Sequence, residues 1–193
     1  MSTNKDESVL NDPNQHAPKQ PAPDQTDGAE ALIAALVQIE HHVTAQGWDQ
    51  PARLFALVRT DELIRHEPSL AEHLQVSLDD ALSSIEQEDF HAGGDVLERL
   101  GSITWPASVT GCAIALERAF LPPRFESEIP SDPAEAERFV AEHPHKQDIR
   151  VVVGALRDGS RHGVARLLSH PEELLGGVDL VPGLAAAVGR TLQ

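Results

Sequence analysis

Ile149-Arg150-Val151-Val152-Val153-Gly154-Ala155-Leu156-Arg157-Asp158-Gly159-Ser160-Arg161-His162-Gly163-Val164-Ala165-Arg166-Leu167-Leu168 decides the fold. Two apolar, β-branched runs flank Asp158-Gly159, a strong short-range signal for a β-hairpin. A two-residue type I′ loop over Asp158-Gly159 sets the register. It pairs Leu156 with Arg161, Gly154 with Gly163, Val153 with Val164 and Val151 with Arg166. Residues opposite one another share a face. One face then carries Val152, Leu156, Ala165 and Leu167. The other carries Ile149, Val151, Val153, Val164 and Leu168, with Arg157, His162 and Arg166 among them. Both faces are largely apolar, so both need cover, with a helix layer on at least one.

Upstream, Met1 to Gly28 is an acidic stretch rich in Pro and Gln without apolar periodicity, and it reads as a disordered tail. Residues 29–193 read as one domain, long enough to bury a core without disulfides. Ala29 to Ala45 is an amphipathic helix, with Leu32, Ala35, Leu36, Ile39 and Val43 at helical spacing. Arg53 to Arg59 is an interior strand. A short helix capped by Thr60 or Asp61 follows, and Ser69-Leu70-Ala71-Glu72 is a capping box opening another. Leu82 to Glu88 reads as a strand with Ile85 inward, or Ala81 to Gln87 as a helix, before a short helix capped by Asp95. Val109 to Phe120 is a long strand on which Ala113, Ala115, Glu117 and Ala119 form one row, narrow enough for a helix to lie close. Asp132-Pro133 opens a helix to Ala141. After the hairpin, Pro171 and Gly176-Gly177 mark a linker to a last helix near 182–192. The expected fold is α+β: an antiparallel or mixed sheet of four to five strands, with helices packed against it.

Composition narrows the function. With 31 acidic and 15 basic residues the chain carries −16 at neutral pH, which repels phosphate backbones and anionic membrane surfaces. Aromatics are 4% of residues, too few for a base-stacking platform. No apolar run approaches the ~20 residues of a membrane span, and no secretory h-region opens the chain. Nucleic-acid and membrane partners are therefore not expected, and the expected location is the cytoplasm. Cys112 is the single cysteine. It lies in an apolar run and reads as a buried, inert thiol.

No GxxxxGK phosphate loop, GxGxxG turn or HExxH helix occurs. Gly159-Ser160-Arg161-His162-Gly163 has the wrong spacing for a serine elbow, on a hairpin rather than a strand-turn-helix. Gly93-Gly94 before a helix start could hold an anion, but Asp95 occupies that end as a cap. Glu142-His143-Pro144-His145 lacks a closed four-ligand set, so neither metal nor cofactor is expected. The cluster with the most chemistry is Arg157, His162 and Arg166 on one hairpin face, with Glu117 on a neighbouring strand. Two arginines and a histidine could hold a carboxylate or phosphate, with Glu117 orienting it. The plainer reading is internal ion pairing, Arg166 with Glu117 for example.

Several stretches resemble a small uncharacterised actinobacterial protein family over about residues 31–192. They are Trp48-Asp49-Gln50-Pro51 running into Arg53-Leu54-Phe55-Ala56-Leu57-Val58, Trp105-Pro106 with Gly111-Cys112-Ala113 and Glu117-Arg118, Leu121-Pro122-Pro123, Leu156-Arg157-Asp158-Gly159 with His162 and Arg166, and Leu180-Val181-Pro182-Gly183-Leu184. The resemblance implies no activity and no residue role. The expectation is a non-enzymatic cytoplasmic module that binds a protein partner or a second copy of itself. The alternative is a binder of, or an enzyme acting on, a small anionic ligand at Arg157, His162 and Arg166.

Overall fold

The computed structural model describes residues 23–72, 81–178 and 180–193. Residues 1–22, most of the expected tail, lie outside them, as does 73–80, where the helix opened by Ser69 was expected. Six strands form one antiparallel sheet, in the order β2-β1-β3-β4-β5-β6. They are β1 Arg53–Arg59, β2 Leu82–Glu86, β3 Gly111–Phe120, β4 Gln147–Leu156, β5 Arg161–Leu167 and β6 His170–Gly177. Five α-helices accompany them: α1 Pro23–Thr44, α2 Thr60–His66, α3 Val96–Gly101, α4 Pro133–Glu142 and α5 Pro182–Arg190. Two 3-10 segments cover Pro68–Glu72 and Pro123–Glu128.

Two of the expected caps form, but Thr60 and Asp61 do not cap α2, whose N-cap is Arg59 with no side-chain cap bond. The Asp95 carboxylate accepts from the amides of Leu97 and Glu98 at 2.8 and 3.1 Å. The Asp132 carboxylate accepts from Ala134 and Glu135, both at 3.0 Å. These bonds satisfy amide donors that the first turn leaves free.

The expected fold needs three corrections. First, α1 begins at Pro23, so residues 23–28 belong to a helix rather than to the tail. Second, the sheet has six strands, not four or five, because the expected linker after the hairpin is β6. Its central residues are mostly exposed and it lies at the sheet edge. An edge strand needs no apolar alternation and tolerates Pro171 near its start.

Third, the hairpin register is shifted by one residue. Gly154 pairs with His162, Val152 with Val164 and Arg150 with Arg166. The loop holds three residues, not two. The Leu156 amide donates to the Ser160 carbonyl at 2.9 Å, and the Gly159 amide to the Leu156 carbonyl at 3.1 Å. Only Gly159 takes positive φ, +94°, and Asp158 does not. This is the type I turn followed by a left-handed glycine that closes three-residue hairpins. Because side chains alternate with a period of two, one residue of slip moves every β5 side chain to the other face. His162, Val164 and Arg166 therefore join Val152 and Leu156.

Both faces are covered, but unequally. On one, Leu32, Leu36, Ile39 and Val43 of α1 pack on Phe55, Leu57, Ala113, Ala115, Val152 and Val164. The alanines of β3 let α1 lie close, as their row suggested. On the other, α3 and α5 bring Val96, Leu100, Leu184 and Val188 onto Leu54, Ala56, Ile114, Val153 and Ala165. The 22 residues of α1 span about 33 Å at 1.5 Å per residue. The ten residues of β3 or β4 span about 33 Å as well. The nine residues of α5 span only about 14 Å, so this second face is not covered along its whole length.

Candidate functional site

The structure separates the four residues singled out in the sequence. Arg166 lies under α1, where its Nε and Nη2 donate to the two carboxylate oxygens of Glu40 at 2.6 and 2.7 Å. Its Nη1 donates to the Pro171 carbonyl of β6. Glu40 is fully buried. Burial pushes its carboxyl pKa up, but hydrogen bonds from Arg166 and Thr44 outweigh this and hold it below the usual carboxylate range. The Arg166 guanidinium is held correspondingly more firmly charged, first by its hydrogen bonds to Glu40.

Glu117 has a different partner, Arg150, which the sequence reading passed over. Arg150 is the largest fully buried side chain. Its Nη2 and Nε donate to Glu117 Oε1 at 2.7 and 3.2 Å, and its Nη1 donates to Thr44 Oγ1 at 2.8 Å. Nη2 also reaches the Gly47 carbonyl. The guanidinium lies over the Trp48 ring, 4.4 Å from its centroid, an arrangement that favours a cation. Glu117 Oε2 accepts from the amides of Asp49 and Gln50 at 2.7 and 3.3 Å, which fixes the turn after α1. Thr44 joins the two ion pairs by donating to Glu40 Oε1 at 2.6 Å. Two signals could have found this network. Arg150 interrupts an apolar strand, and Glu40 falls on the apolar stripe of α1. Buried charges need partners.

Arg157 stands apart, at the hairpin turn. It donates to the carbonyls of Val109 (2.8 Å), Trp105 (3.1 Å), Pro106 (3.0 Å) and Leu192. It thus ties the chain end to the segment before β3. His162 is half-buried, and burial lowers its imidazole pKa. The hairpin residues therefore do not converge. Both arginines are engaged by groups of this chain, and Glu117 sits with Arg150 rather than with either of them. His145 stacks on Phe125 at 4.9 Å between centroids, and His143 packs against the same ring at a tilt, at 4.8 Å. Among the described residues no three His, Cys, Asp or Glu side chains converge as metal ligands.

A cleft opens where α5 stops short. It holds about 470 Å³ between α3, the start of α5 and the far ends of β3 and β4. Leu97, Leu116, Phe120, Ile149, Val151 and Val181 contribute to its walls, and Arg118 is its one charged lining residue. Leu97 on the rim is 54% exposed. A mixed polar notch of about 510 Å³ adjoins it, sharing Val96, Leu116 and Arg118. Arg118 points to the cleft side because it lies two residues from both Leu116 and Phe120 along β3, on their face, and pairs across to Ile149. It makes no ion pair or hydrogen bond with any described residue.

The chain belongs to the PPA1309-like protein family. The family model matches residues 32–193. The match begins inside α1, at the first of its fully buried leucines, and takes in the whole sheet, the ion-pair network and the cleft. No curated protein and no solved structure matches the chain. No helix among the described residues is long and apolar enough to cross a membrane.

Proposed function

We propose that this chain is a cytoplasmic, non-enzymatic interaction module whose binding surface is the open apolar half of its sheet. The observation that carries this reading is the cleft itself. Apolar side chains from two strands and two helix ends line about 470 Å³ of open space, within the usual size of binding sites, with Leu97 exposed on the rim. Exposed apolar patches on soluble proteins mark interaction surfaces. The polar side chains that suggested anion chemistry on the hairpin are occupied by Glu40 and by backbone carbonyls, which leaves them to a structural role.

A photoreactive diazirine amino acid placed at position 97 in cells tests the reading. The control is the same group at Glu30, which is exposed on α1 over the opposite face. A discrete adduct from position 97 that is missing from position 30 is the expected result, and its mass separates a protein from a small molecule. No adduct at 97, or the same products from both positions, overturns the assignment of this face.

A further inference from the structure

We propose that the cleft takes an amphipathic monoanion, an aliphatic chain lying along its walls with a carboxylate or phosphate head on the Arg118 guanidinium. The proposal rests on the reading of this half-face as the binding surface and adds the chemistry of its occupant.

Two observations meet here. The walls offer aliphatic and aromatic side chains only, from Leu97, Leu116, Phe120, Ile149, Val151 and Val181. Such a surface rewards a ligand for the apolar area it removes from water. Arg118 then plants one guanidinium in that patch, with Leu116 and Phe120 beside it on its strand and Ile149 opposite. No carboxylate of the described chain answers it. Elsewhere in the same sheet Arg53, Arg150 and Arg166 each have a glutamate and Arg59 an aspartate. Arg161, exposed at the hairpin end, has no ion pair among the described residues either, but it does not line the cleft. A neutral apolar ligand would strip water from Arg118 without replacing it, and a cationic one would repel it. An anionic head completes the hydrogen bonds that the guanidinium fork can offer.

The chain's net charge makes the preference diagnostic. At −16, the long-range field draws cations and repels anions. Preference for an anion at this cleft must therefore come from a local contact.

The test is calorimetric titration of the full chain, below micelle concentrations, with decanoate, decyl phosphate and decylammonium. Two variants accompany the wild type. Arg118→Gln removes the charge at an exposed position. Gly183→Leu adds a bulky side chain at a residue of the cleft wall, where a Cβ meets no atom within 4 Å. It also replaces a helical glycine, so the fold should hold.

The wild type should bind one or both anions about tenfold more tightly than decylammonium, the discrimination expected from one charge-assisted contact. Arg118→Gln should erase the preference and keep chain binding. Gly183→Leu should abolish binding of all three while melting no lower than the wild type. Whichever anion binds better identifies the head group. Equal binding of all three, or a preference that survives Arg118→Gln, overturns the proposal. If no probe binds while the crosslinker at position 97 captures a protein, the occupant is wrong and the surface right. If neither occurs, both readings fall.

Discussion

Removing Arg166 tests whether the buried network under α1 has the energetics that its geometry implies. In Arg166→Met the aliphatic stem is roughly replaced, but Glu40 keeps only the Thr44 hydroxyl on its carboxylate. The Glu40 side chain is 0% exposed and that of Arg166 10%, so water does not take the guanidinium's place. Breaking a buried pair from one side costs about 3–5 kcal/mol, because the remaining charge is uncompensated. The lost bond to the Pro171 carbonyl adds to this, and about 4 kcal/mol is expected at pH 7.5. For a chain of 193 residues, at roughly 2–4 °C per kcal/mol, Tm should fall by about 12 °C.

The pH dependence carries the sharper sign. In the wild type the folded pKa of Glu40 lies below its unfolded value. Its stabilising contribution is therefore present above the unfolded pKa and lost as pH falls through the folded one. Without Arg166, burial is the dominant influence and the folded pKa rises above the unfolded value. The folded variant then takes up a proton as pH falls, and the gap to wild type narrows by up to about 1.4 kcal/mol per pH unit. Urea unfolding of both proteins at pH 7.5 and 5.0 measures this. Glu40→Gln in the Arg166→Met background removes the stranded charge and should recover part of the loss at pH 7.5. A cost below about 1.5 kcal/mol, a gap that does not narrow at pH 5.0, or no relief from Glu40→Gln would refute the reasoning.

Arg157→Ala should cost about 1–2 kcal/mol by releasing four backbone carbonyls. Faster amide exchange should be confined to α5 and to the segment before β3, and uniform loosening across the sheet would contradict the clamp. Gly111→Ala places a Cβ 2.6 Å from the Ala155 carbonyl oxygen and against a Leu156 methyl. Overpacking of about 1–3 kcal/mol is expected, and a neutral substitution in the same urea assay would show that β3 and β4 are less tightly apposed. Cys112 is 0% exposed. Burial pushes its thiol pKa up, and its sulfur lies 3.2 Å from the Thr191 hydroxyl. Its reaction with an aromatic disulfide reagent should follow the rate of global unfolding, whereas rapid labelling of the native protein would show local opening beneath α5.

The hairpin was legible in the sequence because Asp158-Gly159 is a turn signal that few alternatives share. Its register was not. The same dipeptide fits a two-residue loop with both φ positive and a three-residue loop with only the glycine so, and the two differ by one residue of slip. That residue decides whether Arg166 faces Glu40 or the opposite side of the sheet. The ion pairs were out of reach for a related reason. Glu40 and Arg166 are 126 residues apart and Glu117 and Arg150 are 33 apart, so only the strand order brings them together. What could be read was the need for partners, from a charge within each apolar pattern. β6 escaped notice because a solvated edge strand carries no alternating apolar row.

The placement of network and cleft follows from one inequality, the length of α1 against that of α5. The C-terminal turns of α1 extend over the far half of the sheet, and that end of a helix favours cations. Glu40 and Thr44 lie there, and the strands beneath supply Arg166 and Arg150. Charges could be buried on this side because a helix long enough to enclose them was present. On the opposite side α5 spans about 14 Å, and α3 covers only part of the same stretch of β3 and β4: Leu116 and Val151 are buried there, while Arg118 lies exposed on the open cleft. A buried ion pair there would have lain open to water and contributed little. The residues at those positions are instead apolar, with Arg118 alone charged and unpaired. Lengthening α5 would close the cleft with this chain's own atoms, so the shortness of the helix is what leaves the surface free for something else.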